Sequence, residues 1–286
     1  MKVLALLLLV ASAALAASPF RFRDISPASV ELIENGRPVY VYNHGMMRPH
    51  GVPADRYRCC YVHPLYSPEG VVVTDDFPKD HYHHRGVFWV WPVVEAGGKR
   101  YDLWLIQGIR KRFQQWTARA AGEDSARLAF INGWFTDDEH REVVRERVEI
   151  VAHPAVSSRR ELDFALQFEA LDRPVRINGK LDGKGYGGFC ARLAPRRDTV
   201  IVTDTGKESG DSNLVPHAWA REEGAFASGR AALRIDIDPA NPGFPNGWCL
   251  RYYGFLGVNF PGMDGYTLRP GHPLVLKYKV TVADLD

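Results

Sequence analysis

Three of the chain's ten histidines fall within four positions, in the segment Asp80-His81-Tyr82-His83-His84-Arg85-Gly86. In an extended backbone, His81 and His83 project to one face, while Tyr82 and His84 project to the other. Two same-face imidazoles could bind a divalent metal with a carboxylate or a third His, since neutral imidazole suits zinc, nickel, copper or iron. They could equally serve as general acid and base near neutral pH. The spacing leaves both readings open. Arg85 is expected to hold an anionic substrate group or to stabilise an oxyanion. The bland alternative is a polar loop capping a sheet, with inert histidines. Three imidazoles beside an Asp and an Arg, just ahead of an apolar run, favour a site. His63, in His63-Pro64-Leu65-Tyr66, could complete the cluster, whereas Asp75 and Asp76 read as turn residues.

Two further segments carry chemistry. In Gly183-Lys184-Gly185-Tyr186-Gly187-Gly188-Phe189-Cys190-Ala191-Arg192, the glycines allow close backbone approach to a ligand, or simply a tight turn entering a strand. Tyr186 is a candidate proton donor, and Arg192 a substrate-binding residue that needs a partner if it is buried. His217 and Trp219, with Arg251 beyond Asn241-Pro242-Gly243, could line a carbohydrate cleft in which aromatic faces meet sugar rings, though Trp219 and Trp248 are as often core. G-x-S-x-G, a P-loop and C-x-x-C are all missing, and the G-x-G-x-x-G at 183–188 is not followed by the helix that a dinucleotide fingerprint requires, so serine hydrolase, nicotinamide, nucleotide and cysteine–zinc chemistry lack support.

The elements that must position these residues read as strands. Leu162, Phe164, Leu166 and Phe168 alternate with Asp163, Ala165, Gln167 and Glu169, and the same period recurs at 144–150, 233–237 and 274–282. Asn35-Gly36 between alternating runs predicts a hairpin turn. Val87 to Val94 is continuously apolar, which predicts one strand buried on both faces. Asp137 to Arg147 lacks a helical stripe and reads as turn plus strand. The expectation is all-β: a large two-sheet antiparallel β-sandwich, with residues 17–286 as a single domain.

Of the 286 residues, 45% are apolar and 24% charged, which excludes wholesale disorder. Thirty-six Lys+Arg against 34 Asp+Glu, with no long basic run, argue against nucleic acid as a general partner. Lys2, the apolar run Val3 to Val10 and Ala14-Leu15-Ala16 read as a signal peptide over 1–16, predicting export to the periplasm or beyond, with no membrane anchor after cleavage. Cys59 and Cys60 are adjacent and, on a strand, would face opposite sides.

Pro78 to Gly86, Gly185-Tyr186-Gly187-Gly188 with Arg192, Asn241-Pro242-Gly243 and Leu268-Arg269-Pro270-Gly271-His272-Pro273-Leu274 together resemble the DUF6807 family over nearly all of the mature chain. The family often carries the label "methane oxygenase PmoA-like". That activity is not carried over, because a multi-span membrane subunit cannot share this pattern of alternating strands. The resemblance implies a supersandwich similar to galactose-mutarotase-like proteins and an association with sugar degradation. By analogy with that fold, a His would act with a carboxylate on a sugar ring, Asp80 and Glu169 being the candidates. The expectation is therefore an exported carbohydrate-active lyase, hydrolase or epimerase. In it His81 and His83 act in acid/base chemistry or hold a metal, His84 and Tyr186 assist, and Arg85, Arg192, His217, Trp219 and Arg251 bind substrate. Its rivals are a non-catalytic carbohydrate-binding protein and a metal-dependent oxidoreductase.

Overall fold

Alternation at period two commits most of the chain to strands with one wet and one dry face, and two such faces must cover each other. The computed structural model describes residues 18–286; the expected signal peptide lies outside them. It contains two nine-stranded sheets and one of four strands, all pairings antiparallel. Among the described residues there is no α-helix, only a 3-10 turn at Ala54–Arg56. No helix of the described residues is long and apolar enough to cross a membrane.

One large sheet includes Ser29–Glu34, Arg37–Asn43, Tyr61–Leu65, Val87–Val90, Gly188–Arg192 and Phe255–Asn259. The other includes Ala126–Thr136, Glu142–Ala152, Arg159–Ala170, Leu274–Leu285 and Gly229–Ile237. Their inner faces meet through aromatic side chains: Tyr42 stacks on Phe130 at 4.2 Å between ring centroids, and Phe189 on Tyr278 at 4.4 Å. Such pairs add to the burial of their own large apolar surfaces. Along Arg159–Ala170 the buried and half-buried positions alternate as the sequence predicts. Asn35 and Gly36, at φ 48° and 82°, make the predicted hairpin turn. Asp137 to Arg147 is a turn followed by the strand Glu142–Ala152.

Two expectations need correction. The run Val87 to Val94 is buried throughout but is not one strand. It breaks at Trp91-Pro92, so Val87–Val90 pairs with Gly188–Arg192 in a large sheet. Val93–Ala96 instead pairs with Val175–Asn178 in the four-stranded sheet. Proline has no N–H to give a central ladder, and the chain changes sheets there. Cys59 and Cys60 do not face opposite ways. Cys60 adopts φ 65°, which cancels the alternation, and the two sulfurs lie 3.1 Å apart. All four cysteines are free and buried.

Candidate functional site

The histidine segment is a closed excursion from the sheet, not an extended strand. Asp76 and Arg85 bridge each other at its base. Gly86 N–H donates to Asp75 C=O at 2.7 Å, and Arg192 N–H donates to Gly86 C=O at 2.8 Å. A Cβ on Gly86 would sit 1.8 Å from the Val62 carbonyl oxygen, so only glycine lets the loop's exit strand lie this close. Within the excursion, His84 N–H donates to His81 C=O at 2.8 Å, forming a turn. This corrects the predicted facing. The turn gathers His81, His83 and His84 and leaves Tyr82 apart.

His81 and His84 stack with centroids 4.7 Å apart and planes 6° apart, and His83 meets both edge-on, at 5.5 and 4.5 Å. Tyr253 packs against both His81, at 5.1 Å, and His84, at 6.3 Å, and Phe255 stacks on His84 at 4.8 Å. Tyr253, 41% exposed, is the residue that sequence reasoning missed; its only signal was an aromatic next to Arg251 in a Gly-flanked turn.

Arg192 projects from the strand Gly188–Arg192 under this stack. Its Nη2 donates to both Asp80 carboxylate oxygens at 3.1 Å, and Asp80 Oδ2 lies 2.9 Å from His81 Nδ1. Burial pushes the Asp80 carboxyl up, but the hydrogen bond from His81 and the Arg192 guanidinium together hold it below its usual range. Arg192, expected to bind substrate, is thus engaged in clamping a carboxylate. The His81 and Asp80 side chains remain 35% and 49% exposed.

The other two imidazoles sit in a different environment. Burial, and after it the charges of His81, Arg58 and Arg85, push His83 down to about 3. Burial likewise holds His84 well below its ordinary value. Both are therefore neutral at working pH. A base whose folded pKa is depressed costs no stability above its unfolded value near 6.5. As pH falls below that, the unfolded chain takes up a proton that the native state refuses, so stability is lost. His83→Asn should reduce the loss of urea stability between pH 7 and pH 4.5 by about 1–2 kcal/mol relative to wild type. An unchanged pH dependence would show that His83 protonates freely in the native protein.

The remaining predicted residues are dispersed. Arg85 is 4% exposed, its guanidinium lies 5.1 Å from the Phe88 ring centroid, and it faces the interior, not an open cleft. Tyr186 packs on Trp104 at 4.8 Å, one ring removed from the histidines, and burial pushes its phenol up to about 12. Arg251 is taken up by the Ser212 and Leu250 carbonyls and the Asn213 side chain. His217 is buried, with Nδ1 2.8 Å from Asp204, and Trp219 is covered by Arg234 at 3.9 Å; neither touches the histidine stack. Glu169 pairs with Arg147 on the other large sheet. His63 bonds Thr74 at 3.0 Å, and burial pushes it down to about 4.

For a metal, the rings are stacked instead of convergent. Among the described residues, no three His, Cys, Asp or Glu side chains form a group that could hold an ion. The donor set at His81 and His83 therefore does not fit the metal that the sequence left open. A cavity of about 560 Å³ beside the loop is lined by His63, Asp76, Phe77, Lys79 and Tyr82. Burial pushes Asp76 up to about 7, against the hydrogen bond from Tyr61 and the charges of Arg58 and Arg85. Another cavity, about 670 Å³, lies on the second large sheet between Glu161, Asp163, Arg234 and Lys279, and none of the predicted site residues lines it.

Comparison with known proteins gives a family and distant likenesses. The DUF6807 model, described as a family of unknown function, matches residues 29–286. No curated protein matches the chain. Among solved structures, the Slr1438 protein from Synechocystis sp. PCC 6803 is similar at 9% identity and TM-score 0.39, covering 95% of this chain and 99% of that one. An alpha-galactosidase from Lactobacillus brevis is similar at 8% identity and TM-score 0.43, covering 93% of this chain and 40% of its own. A polysaccharide lyase is similar at 11% identity and TM-score 0.33, covering 95% and 34%.

Proposed function

The chain belongs to the DUF6807 family, and we propose that it is an exported carbohydrate-active enzyme in which His81 moves protons on a sugar or glycoside. The supporting observation is the Arg192–Asp80–His81 chain, in which a buried guanidinium fixes a carboxylate and the carboxylate fixes an imidazole. With Nδ1–H donated to Asp80, the tautomer leaves Nε2 of His81 free to accept a proton, and the adjacent carboxylate stabilises the imidazolium that forms. Stacking against Tyr253 and His84 restricts the ring's tilt, so reacting groups meet it in one orientation. His83 and His84, being neutral, accept or donate hydrogen bonds to substrate hydroxyls and do not deliver a proton as acids. Arg192 and Asp80 act through His81 and are positioning residues.

The export assignment rests on Lys2, the Val3 to Val10 run and Ala14-Leu15-Ala16. The sugar assignment rests on the half-exposed Tyr253 beside an acid/base group, the pairing of apolar ring and polar tip that suits a polyhydroxylated ring.

The test is incubation of the purified protein with a broad panel of glycosides, oligosaccharides and free sugars, with product analysis by mass spectrometry and NMR. Cleavage, elimination or epimerisation without added metal or redox partner supports the proposal. Binding without turnover across the panel overturns it in favour of a carbohydrate-binding protein. Turnover only as a net oxidation or reduction, lost on metal removal, overturns it in favour of an oxidoreductase.

A further inference from the structure

Behind the histidine loop the interior carries more positive charge than its carboxylates balance. A small cavity of about 10 Å³ is enclosed by Arg58, Cys59, Arg85, Lys111, Val90 and Leu103, with other side chains. That volume takes one water-sized species. Arg58 is 2% exposed and Arg85 4%. Among the described residues, none of the three side-chain nitrogens of Arg58 has a hydrogen-bond partner, nor has Arg85 Nε. Lys111 is answered by Glu146 at 2.9 Å, and Arg110, also on the cavity wall, by Asp137 at 2.6 Å.

Arg58 and Arg85 share a single acidic neighbour, Asp76, whose Oδ2 accepts from Tyr61 at 2.5 Å and whose buried Oδ1 has no hydrogen-bond partner; one carboxylate balances at most one of the two guanidinium groups. Burial and the neighbouring Arg85 push Arg58 down to about 9, which still leaves it charged. Cys59 feels the same field: its thiol is held below its ordinary value by the Cys60 hydrogen bond, against burial, and then by Arg85 and Lys111. Cations buried without a counter-charge are strongly destabilising, and orphaned N–H donors add to that cost.

We propose that this cavity binds a single halide ion, chloride under ordinary conditions, held by the guanidinium groups of Arg58 and Arg85. A monoatomic anion accepts hydrogen bonds from any direction, which suits the unpartnered nitrogens of Arg58 and Arg85 on the cavity wall. The site is independent of the proton-transfer reading of His81. By holding Arg58 and Arg85 in place, it would support the loop from below.

The experiment uses the full protein. Crystals soaked in sodium bromide are expected to show an anomalous peak in the cavity, within hydrogen-bond distance of Arg58 and Arg85 nitrogens. In solution, Tm is expected to rise saturably by roughly 2–4 °C in sodium chloride or bromide over sodium gluconate at equal ionic strength. Arg58→Met should abolish both the peak and the halide dependence. If that variant fails to fold, the wild-type peak and Tm comparison still decide. No bromide peak in the cavity, or equal Tm in halide and gluconate, overturns the assignment; a water molecule there would be the replacement reading.

Discussion

His81→Ala is expected to lower kcat by about 100- to 10,000-fold on any sugar substrate the protein turns over, with Tm within a few degrees of wild type. The factor is the usual contribution of a positioned acid/base group. The mild effect on stability follows from the ring's position, since its side chain is 35% exposed and it closes an aromatic stack without filling a core cavity. Asp80→Asn separates positioning from chemistry. It keeps the side-chain shape but no longer compels the Nδ1–H tautomer or stabilises the imidazolium, so kcat should fall while KM changes little. His83→Ala should cost less than His81→Ala, because a half-buried imidazole held neutral contributes hydrogen bonds and packing only. Steady-state kinetics of the three variants, each with its Tm, check this order. Full turnover in His81→Ala would remove proton transfer from the loop altogether.

The largest loss of stability is expected from Glu146→Ala, about 3–5 kcal/mol in urea unfolding. Glu146 lies on the inner face of the strand Glu142–Ala152, where the alternation calls for an apolar residue, and it is wholly buried. Its two oxygens accept from Asn132 at 2.8 Å and Trp134 at 2.9 Å and pair with Lys111 at 2.9 Å, tying three strands together. Removing it strands an ammonium and two donors in the core, beside guanidinium nitrogens that already lack hydrogen-bond partners. The double variant Glu146→Ala/Lys111→Met should recover much of the loss, because the penalty comes from the unpaired cation more than from the missing carboxylate. A single variant as stable as wild type would show that water reaches Lys111 in solution.

The histidine segment shows where sequence reasoning stops. Residue types and their density marked the loop, and that marking did not depend on conformation. The facing of the side chains did, and the extended-strand assumption put His84 on the wrong side. The i to i+3 turn at His81–His84 is fixed by the Asp76–Arg85 bridge and the Gly86 approach to Val62, contacts between segments distant along the chain. Arg192 was legible as a residue needing a partner, but that the partner is Asp80 required the sheet to bring the Gly188–Arg192 strand beneath the loop. Tyr253 had only the weak signal of an aromatic near Arg251, and Arg58 and the pairing of the Cys59 and Cys60 sulfurs had none. A lone aromatic, a lone arginine and two adjacent cysteines look the same in sequence whether exposed or buried.

Local order alone determined the all-β class, the Asn35-Gly36 hairpin and the inward and outward positions of the long strands, because side-chain period and turn chemistry are set by neighbouring residues. Only the tertiary structure decided the break at Pro92 between sheets, the stacked histidines and the chain of charge from Arg192 to His81. Those features depend on which distant strands become neighbours, and on how far burial then shifts the charge of each group, and neither quantity is written in any short stretch of sequence.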